Sequence, residues 1–179
     1  MGFFLLTGTG SASAFGRAPA PTPAPQPQVY SVSMTGYNAV PEQTDSEPFM
    51  TASGAYADPD IVAARSVDLA DKLPYGTVIE VDSASSTSSD CGLSAVSPLV
   101  GLRVIADSMN SRKRDQIDIL FHIDSSVVAL GRRTNAATAL GVCSDVSIRV
   151  VGHIDIAKMP QSQSELAEMI GQTPLASAN

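Results

Sequence analysis

At 179 residues the chain can enclose one sizeable core and leave residues over for tails, which argues against two domains. Its 11 Lys and Arg against 18 Asp and Glu give a formal charge of −7; with no basic surplus to neutralise a phosphate backbone, nucleic acid is excluded as an expected partner. With no Trp and only 5% aromatics, a site built on carboxylates and hydrogen bonds is the better expectation, since a sugar-stacking platform would have to use Tyr or Phe.

The chain begins with a short apolar run, Phe3 to Leu6, followed by Ala12-Ser13-Ala14, the small-x-small pattern of a signal-peptidase site. No Lys or Arg precedes the run, and it falls far short of the ~20 residues that cross a bilayer. Residues 1–14 are therefore expected to be a signal-peptide remnant, and no transmembrane span is expected. Residues 15–28 alternate Pro and Ala over most of their length, a composition that favours a stiff polyproline II linker in a disordered N-terminal segment. A cleaved leader and a spacer suit export to a bacterial periplasm or cell envelope.

From residue 29 to 157 the pattern is that of one all-β domain with short helices. Strands are expected at 29–38, 76–81, 99–107, 117–123 and 146–156, all rich in β-branched residues or alternating. Short helices or turns are expected within 59–74 and within 125–135, the second capped by Asp124 or Ser125 and ended by Gly131. The Ser-rich stretch 82–98 predicts a loop insertion with Cys91 at its tip. In the tail, 158–179, a two-turn helix is expected after a capping Ser164. Several short strands without regular βαβ alternation predict a closed barrel, which also disposes of edge strands.

Cys91 and Cys143 stand 52 positions apart, with no His partner at metal-ligand spacing. They are a disulfide pair if the chain is exported, or buried free thiols otherwise. No metal and no cofactor are expected.

The stretch "VIADSMNSRKRDQIDILF" runs an apolar segment into Asp107, breaks into a basic loop, and restarts as a segment carrying Asp118. Read as a hairpin, it brings two carboxylates to one rim. Strand alternation places Asp118 on a face with Leu120 and His122, and an apolar neighbour together with a second acid disfavours ionisation. Arg112, Lys113 and Arg114 between the two acids act in the opposite sense. His122 and His153 read as solvent-facing or hydrogen-bonded residues.

Four segments together resemble the 3D domain, a family named for three aspartates and found in murein lytic transglycosylases of the A family and in stationary-phase muralytic proteins. They are "SVSMTGYNAVPEQTDSEPFMTASG", "IVAARSVDLADKLPYGTVIEV", the Asp107 to Asp118 stretch with its spacing of eleven, and "ALGRRTNA", covering about Val29 to Arg133. The resemblance implies a six-stranded double-psi β-barrel whose aspartates line a groove for peptidoglycan glycan strands. By that resemblance Asp118 is the catalytic acid, Asp107 its supporting acid, and Asp68 or, with another alignment, Asp71 the first aspartate. Tyr37, Thr51 and Gly54 fall in family-like segments as candidate substrate-binding residues, although packing and turn roles account for them equally. Where many family members carry glycines after the first hairpin aspartate, this chain has Ser108, Met109 and Asn110. The implied activity is lytic cleavage between N-acetylmuramic acid and N-acetylglucosamine; the alternatives are a non-catalytic glycan-binding or structural module on the same barrel, or a glycoside hydrolase.

Overall fold

The computed structural model describes residues 1, 27–41, 47–82, 91–129 and 131–172. Expectations for residues 2–26, and for the Ser-rich part 83–90, lie outside the described residues.

Eight strands are described: β1 (Val29–Asn38), β2 (Val62–Arg65), β3 (Thr77–Val81), β4 (Leu102–Ser108), β5 (Gln116–Phe121), β6 (Ser126–Ala129), β7 (Arg132–Asn135) and β8 (Cys143–His153). Three short helices accompany them: α1 (Leu93–Val100), α2 (Ala136–Leu140) and α3 (Gln163–Met169). Six strands close into a barrel in the order β1-β5-β2-β4-β3-β8, and β6 and β7 form a separate two-stranded hairpin.

The topology follows from which strands are inserted between which. β2 pairs parallel with β4 and antiparallel with β5, so β4 and β5 run oppositely with β2 between them. Likewise β5 pairs parallel with β1 and antiparallel with β2, so β1 and β2 run oppositely with β5 between them. Each of these two arrangements is a ψ-loop, in which a connection passes over the end of an intervening strand. Exchanging the first three barrel strands for the last three leaves the strand order unchanged. The fold is thus a six-stranded double-psi β-barrel.

Val32, Met34, Ala63, Ile79, Ile105, Ile117, Ile119, Val146 and Ile148 form the main core together with Leu93, Val96 and Val100 of α1 and Leu140 of α2. Each Val, Leu, Ile or Met side chain among them withdrawn from water contributes roughly 1.5–3 kcal/mol. A second cluster, Tyr37, Ala57, Val62, Ala64, Ala106 and Leu120, lies on the opposite face of β1, β5, β2 and β4, so these strands are apolar on both sides. Cys91 and Cys143 are joined in a disulfide with a Cα–Cα separation of 5.2 Å, tying the foot of α1 to the start of β8.

Local expectations changed at several points. The segment 59–74 holds the expected short helical turn, a 3-10 turn at Val67–Leu69, but ahead of it an unexpected strand, β2. Ala63 and Ala64 favour helix in isolation, but insertion between two barrel strands overrides that preference. The segment 125–135 forms the β6–β7 hairpin, and Gly131, at a φ of +74°, serves its turn instead of ending a helix. Cys91 stands two residues before α1, which takes up residues 93–100 of the expected loop and strand. Pro98 inside α1 donates no backbone hydrogen bond; the Ser94 carbonyl receives the Ser97 hydroxyl at 3.2 Å. Buried Arg103 takes the carbonyls of Val100 and Leu99 at the end of α1 and that of Pro59. α3 is capped by Ser162, whose hydroxyl accepts from the Glu165 amide, two positions earlier than the expected cap at Ser164. Among the described residues no helix is long and apolar enough to cross a membrane.

Candidate active site

The largest correction concerns the stretch between the two aspartates. β4 and β5 are not a hairpin, because β2 lies between them. Asp107 and Asp118 are both register partners of the same residue, Ala64, and Thr35 on β1 is in turn the partner of Asp118. Thr35, Asp118, Ala64 and Asp107 therefore form one row across four neighbouring strands, and paired residues present their side chains on one face. A β-bulge at Ala106 keeps Asp107 in this row, since Ala63 pairs with Ile105 and Ala64 with Asp107. The methyl group of Ala64 is the floor between the two acids, and the connection 109–115 arches over the end of β2, held by the Met109 amide on the Arg65 carbonyl.

The two carboxylates have different surroundings. Asp107 is fully occupied: Oδ1 accepts the amides of Ala52 and Ser108, each at 2.8 Å, and Oδ2 accepts the Tyr37 hydroxyl at 3.2 Å. It latches the turn Thr51–Gly54 to the rim of the barrel, assisted by the Ser53 amide on the Ala106 carbonyl. Within that turn the Thr51 hydroxyl bonds the Ala55 carbonyl, and Gly54 adopts a φ of +84° with open space where a Cβ would stand. Burial first, and then the negative charges of Asp107 and Asp118, hold the Tyr37 phenol well above its ordinary pKa, so it remains a donor at any physiological pH.

Asp118 accepts the Thr35 hydroxyl on Oδ1 at 2.9 Å, and Gln116 Nε2 donates to the same hydroxyl at 2.8 Å and orients it. Among the described residues no donor reaches Asp118 Oδ2. Burial pushes the Asp118 carboxyl up to about 6, with the Asp107 charge adding to the shift and the Thr35 hydroxyl and the Lys113 ammonium opposing it. Asp118 is thus a carboxyl group held near half-protonation at weakly acidic pH, with one oxygen uncommitted.

No protein-family model and no curated protein matches the chain.

Asp68 stands apart from this row. It is exposed in the 3-10 turn after β2, and its Oδ2 accepts the Asp115 amide at 3.0 Å, a bond that lowers its pKa. Asp115 needs that support because it sits at a φ of +45° at the foot of β5. Asp71 is exposed two residues beyond the turn. His122 has left β5 and is exposed, accepting the Asp124 amide on Nδ1 at 3.2 Å, and His153 is exposed at the end of β8.

Two features were not anticipated from the sequence. Thr35 is the direct partner of Asp118, although its place in the alternation of β1 marked only a half-buried position. Phe49 and Tyr56 stack with ring centroids 6.5 Å apart while remaining 60% and 64% exposed, at the root of the turn that Asp107 holds. Their symmetric placement about "TASG" is the signal that could have found them, because the flanking Met50 and Tyr56 pair as an isolated bridge. Lys113, which the sequence placed between the two acids as an opposing charge, is within electrostatic reach of Asp118. A cavity of about 580 Å³ lies elsewhere, between α1 and α3, lined by Ser97, Leu102 and Gln163. It is lined by none of Asp68, Asp71, Asp107 and Asp118.

Proposed function

We propose that this protein cleaves peptidoglycan glycan strands by lytic transglycosylation, as an exported member of the 3D-domain type. The carrying observation is the asymmetry of the two acids: Asp118 is protonatable with a free oxygen, while both oxygens of Asp107 are spoken for. Hydrolysis of a glycosidic bond ordinarily needs a second carboxylate to activate water or attack the sugar. A single-acid reaction does not. Asp118 would protonate the oxygen linking N-acetylmuramic acid to N-acetylglucosamine. The resulting carboxylate would take the proton of the muramyl C6 hydroxyl as that oxygen bonds to C1 and the glycosidic bond breaks. The product is a 1,6-anhydromuramyl end.

In this reading Thr35 orients the acid, Asp107 and Tyr37 hold the Thr51–Gly54 turn beside it, and the exposed Phe49–Tyr56 pair offers the aromatic surface on which a sugar ring packs. The test is incubation of the purified protein with peptidoglycan followed by mass spectrometry of the ends. Anhydro ends from the native protein and none from Asp118→Asn are expected. Reducing ends would assign hydrolysis, and binding without any cleavage would assign a glycan-binding module.

A further inference from the structure

We infer that the exposed tip Arg112-Lys113-Arg114 is a recognition element for carboxylates carried by the glycan strand, so that the site selects an anionic over a neutral N-acetylhexosamine polymer. The inference rests on the reading of a glycan-cleaving groove given above and names what that groove selects.

The chain carries only 11 cationic side chains against 18 acidic ones, yet three of the cations are consecutive here. Of the other described cations, Arg65 and Arg103 are buried, Arg149 is paired with Glu80 and Lys72 lies over the Tyr30 ring, while Arg132, Arg133 and Lys158 are exposed away from the two acids, on β7 and after β8. Among the described residues no carboxylate forms an ion pair with Arg112, Lys113 or Arg114. A concentration of unpaired positive charge on an acidic protein attracts an anion and repels nothing that the rest of the surface would bring.

The tip is also built to hold its shape. Asn110 folds back on it, its side chain accepting the Arg112 amide at 3.0 Å and its carbonyl accepting the Lys113 amide at 2.9 Å. Arg114 Nη1 is tied to the carbonyls of Ser111 and Lys113. At the far end Asp68 secures Asp115, whose own carbonyl accepts the Ser33 amide of β1. A loop fixed at both feet and through its turn loses little entropy when it engages a ligand.

Its position supplies the second argument. The loop starts two residues after Asp107 and ends three before Asp118, so the cations overhang one edge of the row while the Thr51–Gly54 turn borders it at Asp107. The side chains that occupy this stretch in place of glycines close off backbone approach to a sugar, but they supply charges that bare backbone cannot. The Lys113 ammonium favours the ionised form of Asp118. An anion that pairs with Lys113 removes that influence, so binding of the charged strand and protonation of the acid support each other.

Two sources of carboxylate are available on peptidoglycan, the lactyl group of muramic acid and the stem peptide. The experiment is co-sedimentation of the full chain at low temperature with intact sacculi, with sacculi stripped of stem peptides, and with insoluble chitin, at low and high NaCl. Sedimentation with sacculi is expected to weaken markedly with salt, and chitin binding to be weaker and insensitive to salt. Arg112→Gln/Lys113→Gln/Arg114→Gln should lose about tenfold in affinity for sacculi along with the salt dependence, while its thermal unfolding stays unchanged. Lys113→Glu alone should show the same direction. Retained binding to stripped sacculi assigns the lactyl group, and loss assigns the stem peptide. Native affinity of the triple variant, with salt dependence intact, would overturn the inference and leave the cleavage reading standing. Tip-dependent binding without anhydro ends would do the reverse, and no binding to sacculi at all would overturn both.

Discussion

Thr35 donates its hydroxyl to Asp118 Oδ1 across the parallel β1–β5 pair, where the two residues are register partners. A donor on a carboxylate favours the ionised form, so Thr35 opposes the upward push of burial on the same acid. Removing it in Thr35→Val should raise the Asp118 pKa above about 6 by roughly half to one unit, the equivalent of about 1 kcal/mol of lost hydrogen bond. The activity of a general acid falls as pH rises through its pKa. The basic limb of the pH profile of kcat/KM is therefore expected near 6 in the native protein and at higher pH in the variant. A limb that stays in place would show that another group titrates.

The same acid makes stability depend on pH in an unusual direction. Because its folded-state pKa is raised, the protonated form is the better accommodated one. Its contribution to stability is full below about 4, the ordinary carboxyl value, and is lost as pH rises through about 6. Asp118→Asn keeps an oxygen for Thr35 and removes the charge. It should be more stable than the native protein by on the order of 2 kcal/mol at pH 8 and nearly equal to it at pH 4. Urea unfolding at the two pH values checks this, and an identical difference at both would remove burial of the charge as the cause.

Asp107 is predicted to matter for stability in a way that Asp118 does not. Asp107→Ala leaves the amides of Ala52 and Ser108 and the buried Tyr37 hydroxyl without their acceptor, which should cost about 2–4 kcal/mol. Tyr37→Phe removes one partner and should cost only about 1 kcal/mol. Hydrogen exchange should locate the Asp107→Ala effect at residues 52–54, where the turn is unlatched. Uniform acceleration across the barrel would indicate general destabilisation instead.

Sequence patterning carried the barrel strands because β1, β3, β5 and β8 satisfy period-two burial or continuous β-branched runs over five or more residues. It did not carry β2, only four residues long and half alanine, whose strand state is imposed by the two neighbours it separates. That one element decides the site. Without β2 in place the Asp107 to Asp118 stretch reads as a hairpin, and the shared partner Ala64 cannot be seen. Acid identity and spacing were legible in the residues. The division of labour between the acids was not, because it depends on the Ala52 amide and the Tyr37 hydroxyl, which reach Asp107 from 55 and 70 residues away.

Ala64 is the position where a volume change should act on the site without touching either acid. Its side chain is 4% exposed and stands between Asp107 and Asp118 in the row, with Tyr37, Val62 and Leu120 in the same cluster. Ala64→Leu adds three carbons where little free volume is available, and overpacking of this kind typically costs about 1–3 kcal/mol. The added bulk would stand against the Tyr37 ring and lengthen its bond to Asp107, so the stability cost should overlap with that of Tyr37→Phe. A double-mutant cycle measured by urea unfolding is expected to show a coupling of at least about 0.5 kcal/mol between the two substitutions. Ala64→Gly, which leaves the floor open, should keep the Tyr37 to Asp107 bond and cost only about 1 kcal/mol through backbone entropy. Strict additivity of Ala64→Leu and Tyr37→Phe would mean that Ala64 does not govern the space between the two acids.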